Sequence, residues 1–296
     1  MTRLTEVEAH LVSMGELRDI IGAMRSLASM RMQEAHRALP HIRRYAEAMA
    51  ASIGAALLLL PETGPMSRRT TGRRAFVLYM AEHGFVGGFN ERILEAAKGL
   101  LLPNDAVFVL GSRGAVLTQE RGRPAAWAHP MATRAEGVPE TIRHLTAELY
   151  RWIARGDIAC VEVMFARHRQ GSGTTIERML LFPVDLTSLA PTQPRQPGLH
   201  NLAPATLLEK LIADYVFGLL TEAAIEALAS ENAARFAAMD SAHENVSKKL
   251  EELRQDASQA RQDETTTELL DLVTGAEALH SAEAGRRSPG PVSTPL

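Results

Sequence analysis

Glycine-rich turns follow two apolar segments of the chain, and turns of this kind hold phosphate groups in many nucleotide-binding proteins. The first is residues 82–90, Glu-His-Gly-Phe-Val-Gly-Gly-Phe-Asn, and the second is residues 111–114, Gly-Ser-Arg-Gly. Neither contains G-x-G-x-x-G or G-K-[ST], and no acidic residue stands about 20 positions on with a clear ribose role. We interpret these glycines as serving tight strand-to-helix turns, with a bound dinucleotide as the open alternative.

Nucleophile and metal-ligand patterns are equally weak. Ser112 and Ser172 stand beside glycines but outside a G-x-S-x-G context. The ten histidines form neither an H-E-x-x-H pair nor a zinc-type cluster with cysteine. The single cysteine, Cys160, rules out a disulfide within the chain. The sequence therefore predicts no catalytic site, no cofactor and no metal.

Composition excludes several functional classes. With 296 residues, 46% of them hydrophobic, the chain can form one or two domains with a substantial core. A net charge of −3 gives no general attraction to nucleic acid, so no nucleic-acid partner is expected. Apolar runs such as residues 55–60 are far shorter than the roughly 20 residues that cross a bilayer. Glu6 and Glu8 interrupt the place where a secretory signal would be apolar.

Long helical segments are predicted at both ends of the chain. In residues 4–28 the apolar positions recur at spacings of three and four, which is typical of a coiled-coil seam; they are Leu4, Val7, Leu11, Met14, Leu17, Ile21, Met24 and Ala28. Pro40 is expected to break or kink this helix. A second seam covers residues 204–280, where a continuous helix would be on the order of 100 Å long and would need a partner helix. We therefore predict an antiparallel coiled coil between residues 1–60 and 204–280.

The middle of the chain, residues 74–185, alternates strand-like and helix-like segments. Strands are predicted at residues 75–80 and 106–110, and Asn90 is the expected N-cap of the helix between them. Residues 159–165 and 174–181 are predicted to form a β-hairpin. The fold class is thus mixed α+β and α/β: a long antiparallel two-helix coiled coil with an inserted small Rossmann-like α/β domain.

Two further segments complete the predicted organisation. The proline-rich residues 186–203 are interpreted as a linker between the α/β domain and the second long helix. Residues 281–296 are interpreted as a disordered tail.

Five segments resemble the γ subunit of F-type ATP synthases, in the same order along the chain. They are residues 20–31, IIGAMRSLASMR, similar to I-T-K-A-M-K-M-V-A-A-S-K; residues 84–90, GFVGGFN, similar to G-L-C-G-G-F-N; residues 229–239, ASENAARFAAM, similar to A-S-E-x-A-A-R-M-x-A-M; residues 260–268, ARQDETTTE, similar to A-R-Q-A-A-I-T-Q-E; and residues 273–279, VTGAEAL, similar to V-G-G-A-A-A-L. The resemblance covers the chain up to residue 279.

This resemblance implies a mechanical role without catalysis on this chain. The coiled coil would be the central rotor shaft of an F1Fo ATP synthase or ATPase and would couple transmembrane proton or sodium flow to ATP synthesis or hydrolysis. The implied partners are the α and β subunits of the hexameric ring, the ε subunit and the membrane c-ring, with one copy of this chain per complex. The implied location is peripheral, in the F1 sector at the cytoplasmic face of the bacterial inner membrane.

The matched motifs also imply contact residues. Arg261, Gln262 and Thr266 are the candidates on the second long helix for contact with the catalytic α and β subunits. Polar side chains there could form and release contacts with three successive partners, whereas an apolar patch would hold one orientation too tightly. The neighbouring Thr265 and Thr267 fit a solvated helix face as well.

Other candidates lie elsewhere in the chain. Met24 and Arg25 match family positions near the same collar, although Met24 also fits the packed seam. His200 and Asn201 occupy the place where the family often contacts the membrane ring, and they are the candidates for that contact. The acidic residue Asp263 departs from the family pattern, as do Glu264, Ser26 and Met30, which is typical of a divergent branch.

Two rival interpretations stay open. A non-rotary coiled-coil scaffold with an inserted α/β domain predicts homodimers formed through the seams. An α/β enzyme with helical appendages predicts nucleotide binding by the isolated chain.

Overall fold

The computed structural model describes residues 3–60, 72–169, 171, 173–190 and 200–286, with backbone alone at residues 3 and 278–286. The helices are α1 (Arg3–Leu57), α2 (Phe89–Lys98), α3 (Ser112–Glu120), α4 (Val138–Arg155), α5 (Leu186–Leu189) and α6 (Pro204–Arg286). The strands are β1 (Arg73–Tyr79), β2 (Ala106–Leu110), β3 (Trp127–His129), β4 (Ile158–Arg169) and β5 (Gly173–Phe182). The chain divides into unit 1, residues 1–22 with 241–296, and unit 2, residues 23–240.

In unit 1 the start of α1 packs antiparallel against the second half of α6. Glu8 pairs with Arg261, and a Cβ atom placed on Gly22 would lie 4.0 Å from Cδ2 of His243. Residue numbers therefore fall along α6 as they rise along α1. The seam positions that α6 buries here are Leu250, Leu253, Ala257 and Ala260, as the apolar spacing predicts.

In unit 2 the two helices again run antiparallel. Arg25 pairs with Asp240 at 2.9 Å and Arg43 pairs with Glu222 at 2.9 Å. Gly218 gives room for a ring of α1, because a Cβ atom there would lie 3.2 Å from Cδ1 of Tyr45. Close approach of this kind lets the backbones pack tightly where a larger residue would separate them.

The α/β domain of unit 2 is a five-stranded mixed sheet in the order β3-β2-β1-β4-β5. Strands β1 to β4 pair in parallel, and β5 pairs antiparallel with β4 in the predicted hairpin. One face of the sheet forms a core with α4 and α6, and the other face forms a second core with α2 and α3. Because both faces of the sheet are buried, β2 is apolar at every position.

The predicted fold class is confirmed: long N- and C-terminal helices pack together, with the α/β sheet inserted between them in the chain. The predicted break at Pro40 is wrong, because α1 continues through that residue, whereas the predicted kink stays a prediction. Leu39 and Ala46 are buried on either side of it, and Arg44 Nε donates to the Pro40 carbonyl oxygen at 3.2 Å. Tertiary packing thus outweighs the hydrogen bond that proline removes.

The predicted N-cap role of Asn90 is also wrong. Helix α2 begins at Phe89 after Gly88, and the buried Asn90 side chain accepts a hydrogen bond from the Ala81 N–H at 2.8 Å. Asn90 therefore fastens the start of α2 to the end of β1.

Segment boundaries differ in two places. Helix α6 extends to Arg286, beyond the predicted end at residue 280, and α5 lies at the start of the predicted linker 186–203. Residues 191–199 of that linker, residues 287–296 of the predicted tail and Ser172 lie outside the described residues. Among the described residues, no helix combines the length and apolarity that crossing a bilayer requires.

Candidate functional site

The carboxyl ends of the parallel strands are where open α/β sheets bind ligands, at the point where the strand order reverses. Here that point lies between β1 and β4, and the glycine turn 82–90 follows β1 directly. Helix α6 covers this edge of the sheet: the buried Ser230 hydroxyl donates to the Ala166 carbonyl oxygen of β4 at 2.8 Å. The chain's own helix therefore takes the place that a nucleotide takes in binding proteins of this topology.

A buried guanidinium of α6 holds the glycine turn. Arg235 Nη2 donates to Glu231 Oε1 at 2.7 Å, and it lies 3.5 Å and 3.4 Å from the carbonyl oxygens of His83 and Gly84. Its Nη1 donates to Asn232 Oδ1 at 3.3 Å. Burial raises the pKa of Glu231 above its ordinary value although Arg235 opposes the shift. The motif residues at 231, 232 and 235 thus secure a turn of their own chain.

Glu82 joins the ends of three strands. Its carboxylate accepts hydrogen bonds from the Ser112 N–H at 2.9 Å, the Ser112 hydroxyl at 2.7 Å and the Met131 N–H at 2.8 Å. Burial alone would raise the pKa of Glu82, but these hydrogen bonds outweigh it and the pKa is lowered. Ser112 is therefore a hydrogen-bond partner of a carboxylate that joins strand ends, which accounts for its side chain without a catalytic role.

The predicted contact residues of unit 1 lie on an exposed stretch of α6. Arg261 forms an ion pair with Glu8 at 2.8 Å, and its side chain is 68% exposed. The Thr266 hydroxyl donates to the Gln262 carbonyl oxygen one turn earlier at 2.8 Å, and Thr265 and Thr267 make the equivalent bonds to their own helix. The Gln262 side chain is exposed. These residues form one polar band, residues 261–268.

An exposed apolar patch follows this band, and the sequence reasoning missed it. It consists of Leu269, Leu270, Leu272 and Val273, each 56–70% exposed. Glu8 pairs with Arg261, and beyond this pair the α6 side chains 265–277 are all exposed. The run L-L-D-L-V at residues 269–273 was the available signal, and it contradicts the expectation that this end would carry no apolar patch.

A family model described as ATP synthase matches residues 3–279 of the chain. The protein belongs to the ATP synthase gamma chain family. The chain is 25% identical to the ATP synthase gamma chain of Geotalea uraniireducens, with 94% of this chain and 99% of that one covered. It is also 25% identical to the gamma chain of Moorella thermoacetica, with 94% and 100% covered.

Solved structures share the fold of this gamma chain. A chain of the Euglena gracilis mitochondrial ATP synthase, in a structure of OSCP, F1 and c-ring, matches with a TM-score of 0.61, 12% identity and 99% of both chains covered. A chain from the Tetrahymena thermophila mitochondrial ATP synthase central stalk and c-ring matches with a TM-score of 0.53, 15% identity, and 75% and 99% covered. The family predicted from the motifs is confirmed, and this gamma chain is a non-catalytic subunit of an ATP synthase complex, in its central stalk.

The candidates of unit 2 lie at two places in the gamma chain. Arg25 Nη1 pairs with Asp240 Oδ1 at 2.9 Å, and Met24 beside it is half-buried. His200 and Asn201 are exposed just before α6, where His200 Nδ1 lies 3.0 Å from the Leu202 carbonyl oxygen. Contact of any of these residues with another subunit stays a prediction.

Proposed function

We propose that this gamma chain is the rotor shaft that couples proton or sodium flow through a membrane c-ring to ATP synthesis or hydrolysis by α and β subunits. The observation that carries the proposal is the end of α6 in unit 1, where side chains 265–277 are all exposed. Four large apolar side chains in that stretch are more than half exposed. An apolar patch that the described residues of the chain leave exposed is typical of a protein–protein contact.

The polar band and the apolar patch have different tasks in this proposal. Gln262 and Thr266 supply hydrogen bonds that form with one catalytic subunit and release as the shaft turns. Arg261 exchanges Glu8 for a carboxylate of a partner, which costs little because an exposed ion pair is worth about 0.2–1 kcal/mol. The apolar patch supplies non-directional contact that does not depend on one orientation, contrary to the expectation that an apolar patch would hold one orientation too tightly.

We infer the ε subunit and the c-ring as further partners from membership of the family. We place the ε subunit and the c-ring at unit 2, with His200 and Asn201 facing the ring and Met24 and Arg25 facing the α and β subunits. One copy per complex is proposed, at the cytoplasmic face of a bacterial inner membrane; the relatives from Geotalea and Moorella support the bacterial setting.

Removal of the exposed end tests the rotor proposal. The chain is truncated after Glu264, because Ala260 is the last buried residue among the α6 side chains that the structure describes, and side chains 265–277 are all exposed. The matched control is truncated after Arg286. Complexes containing each chain are placed in vesicles, and ATP hydrolysis and ion transport are measured together.

The proposal expects the shorter chain to assemble at high protein concentration and to keep the helical circular dichroism of its remaining residues, while the ions moved per ATP hydrolysed fall well below the control. An unchanged ratio would remove the exposed end from the coupling mechanism. Recovery of the tagged chain as a homodimer without α and β subunits would favour the scaffold alternative instead.

A further inference from the structure

A cavity of about 660 Å³ lies between α2 and α3 in unit 2. It opens over the sheet face that these two helices cover, and it does not involve α6. Leu78 of β1 and Val107 of β2 form its floor, and both are buried. Leu94 of α2 and Leu101 after it add apolar wall. The volume falls in the range of about 300–1,000 Å³ that is typical of small-molecule sites.

Positive charge prevails at the rim of this cavity. Four cationic side chains, Arg92, Lys98, Arg121 and Arg123, face two carboxylates. Lys98 lies 4.0 Å from one of these carboxylates, that of Glu95. Arg123 donates to the Leu102 carbonyl oxygen at 2.9 Å.

Two of the rim guanidiniums are free to bind a ligand. Within the part of the chain that the structure describes, the guanidinium groups of Arg92 on α2 and Arg121 just after α3 take part in no hydrogen bond and no ion pair. Each is exposed at the mouth of an apolar cavity. A guanidinium in such a place pairs best with a carboxylate, through two parallel hydrogen bonds.

We propose that the α2–α3 cavity is a binding site for a free medium-chain carboxylate. The apolar chain of the ligand would lie on Leu78, Leu94 and Val107, and its carboxylate would accept hydrogen bonds from Arg92 and Arg121. A small inorganic anion would leave the apolar floor unused, and a neutral lipid would leave the guanidiniums unused. The proposal does not depend on the rotor function, since the cavity belongs to the α/β domain alone.

Decanoate and the neutral decanol, two probes of equal chain length, test this site on the full-length chain. Leucine and valine methyl groups are isotopically labelled, and each probe is titrated below its aggregation limit while methyl resonances are followed by NMR. We expect saturable shifts at Leu78, Leu94 and Val107, with decanoate binding about tenfold tighter than decanol because a charge-assisted hydrogen bond favours the anion.

Three variants separate the apolar and the charged contributions. Arg92→Gln with Arg121→Gln should bring decanoate affinity down to that of decanol. Arg113→Gln removes one positive charge from the exposed face of α3, as each of the two changes above does at its own site. It should leave the affinities for decanoate and decanol unchanged. Leu94→Trp should fill the cavity and weaken both probes together.

Equal affinity for decanoate and decanol in the wild-type chain would overturn the proposal. Methyl shifts that never saturate, or that spread over both faces of the sheet, would overturn it as well. Thermal unfolding of each variant is recorded beside the titration. If Leu94→Trp lowers the stability, the arginine pair and its Arg113 control still decide the question, because those side chains are exposed.

Discussion

Arg261 Nη2 lies 2.8 Å from Glu8 Oε1, so the guanidinium that the family motif assigns to a partner subunit is already paired within the chain. Both side chains are about half or more exposed, at 68% and 47%. An exposed pair contributes less than about 1 kcal/mol. Arg261 can therefore be held in place by Glu8 and still be transferred to a carboxylate of a neighbouring subunit.

Neutralising either member of this pair distinguishes the two roles. We expect Glu8→Gln and Arg261→Gln each to change the free energy of unfolding by less than about 1 kcal/mol. Arg261→Gln should lower ATP turnover of the assembled complex, whereas Glu8→Gln should not. Steady-state hydrolysis by the two complexes is the measurement, and equal turnover in both would confine Arg261 to its internal pair.

The polar band can be tested by a matched pair of double variants. Gln262→Ala with Thr266→Ala should reduce turnover of the complex by about fivefold to a hundredfold, because two hydrogen bonds worth roughly 0.5–1.5 kcal/mol each are lost. The melting temperature of the chain should stay unchanged, since these side chains are exposed. Thr265→Ala with Thr267→Ala is the control, and a similar loss there would mean that helix propensity, not contact, causes the effect.

The apolar patch should matter for assembly and not for the stability of the chain. Leu269→Ser with Leu272→Ser removes two side chains that are 58% and 70% exposed. Their loss should change the free energy of unfolding by no more than about 0.5 kcal/mol. The variant complex should already dissociate at a protein concentration at which the wild-type complex is intact, as measured by mass photometry. Val116→Ser, at a 45% exposed site on α3, is the control. If the complexes of the double variant and of the control are equally intact, the apolar patch does not contact another subunit.

The buried pair of α6 should be far more costly to break. Arg235→Met leaves the Glu231 carboxyl buried without its partner, so we expect a loss of about 3–5 kcal/mol. The double variant Glu231→Leu with Arg235→Met should recover much of that loss. Urea unfolding followed by the fluorescence of Trp127 and Trp152, both in unit 2, measures each free energy. Additive losses would show that the two residues act separately.

Acid should weaken the α/β domain partly through Glu82. Its pKa is lowered in the folded chain from an ordinary value of 4.5, so the carboxylate stabilises the fold above that value. This stability is lost as the pH falls through the lower folded pKa. We expect Glu82→Gln to destabilise the chain at neutral pH and to flatten the fall in stability as the pH drops below the ordinary value of 4.5.

Urea unfolding at each pH provides the measurement for Glu82. The pKa of Glu162 is also lowered, because hydrogen bonds and ion pairs with Arg178 and Arg74 outweigh the effect of burial. Glu162 therefore also loses stabilising effect as the pH falls, and it accounts for part of the remaining slope. Burial of Glu231 gives the opposite sign. A variant with the wild-type slope would show that the hydrogen bonds to Glu82 do not persist in solution.

The sequence predicted those features that repeat at a regular spacing. Burial follows the apolar seam of both long helices, and residues 106–110 form β2 as their apolar run predicts. Leu17 is the exception in the first seam, at 42% exposed. The hairpin was predictable because turn residues separate two runs of strand-forming residues.

Features that depend on distant residues escaped the sequence. Asn90 resembles an N-cap locally, but its partner is the Ala81 N–H nine positions away. The pair between Glu8 and Arg261 joins residues 253 positions apart. The exposed Leu269 and Leu272 are three residues apart, as on a packed seam, and the local sequence does not show that they are exposed. The three-residue strand β3 is too short to show a pattern.

Helix α6 is fastened to the sheet at three heights. The Tyr79 hydroxyl donates to the Leu220 carbonyl oxygen at 2.9 Å, Ser230 bonds β4, and Arg235 holds the glycine turn. Over the roughly 22 Å of helix between residues 220 and 235, no single contact can act as a pivot. Torque applied to this stretch of α6 would therefore be transmitted to the sheet, and the sheet would turn together with the helix.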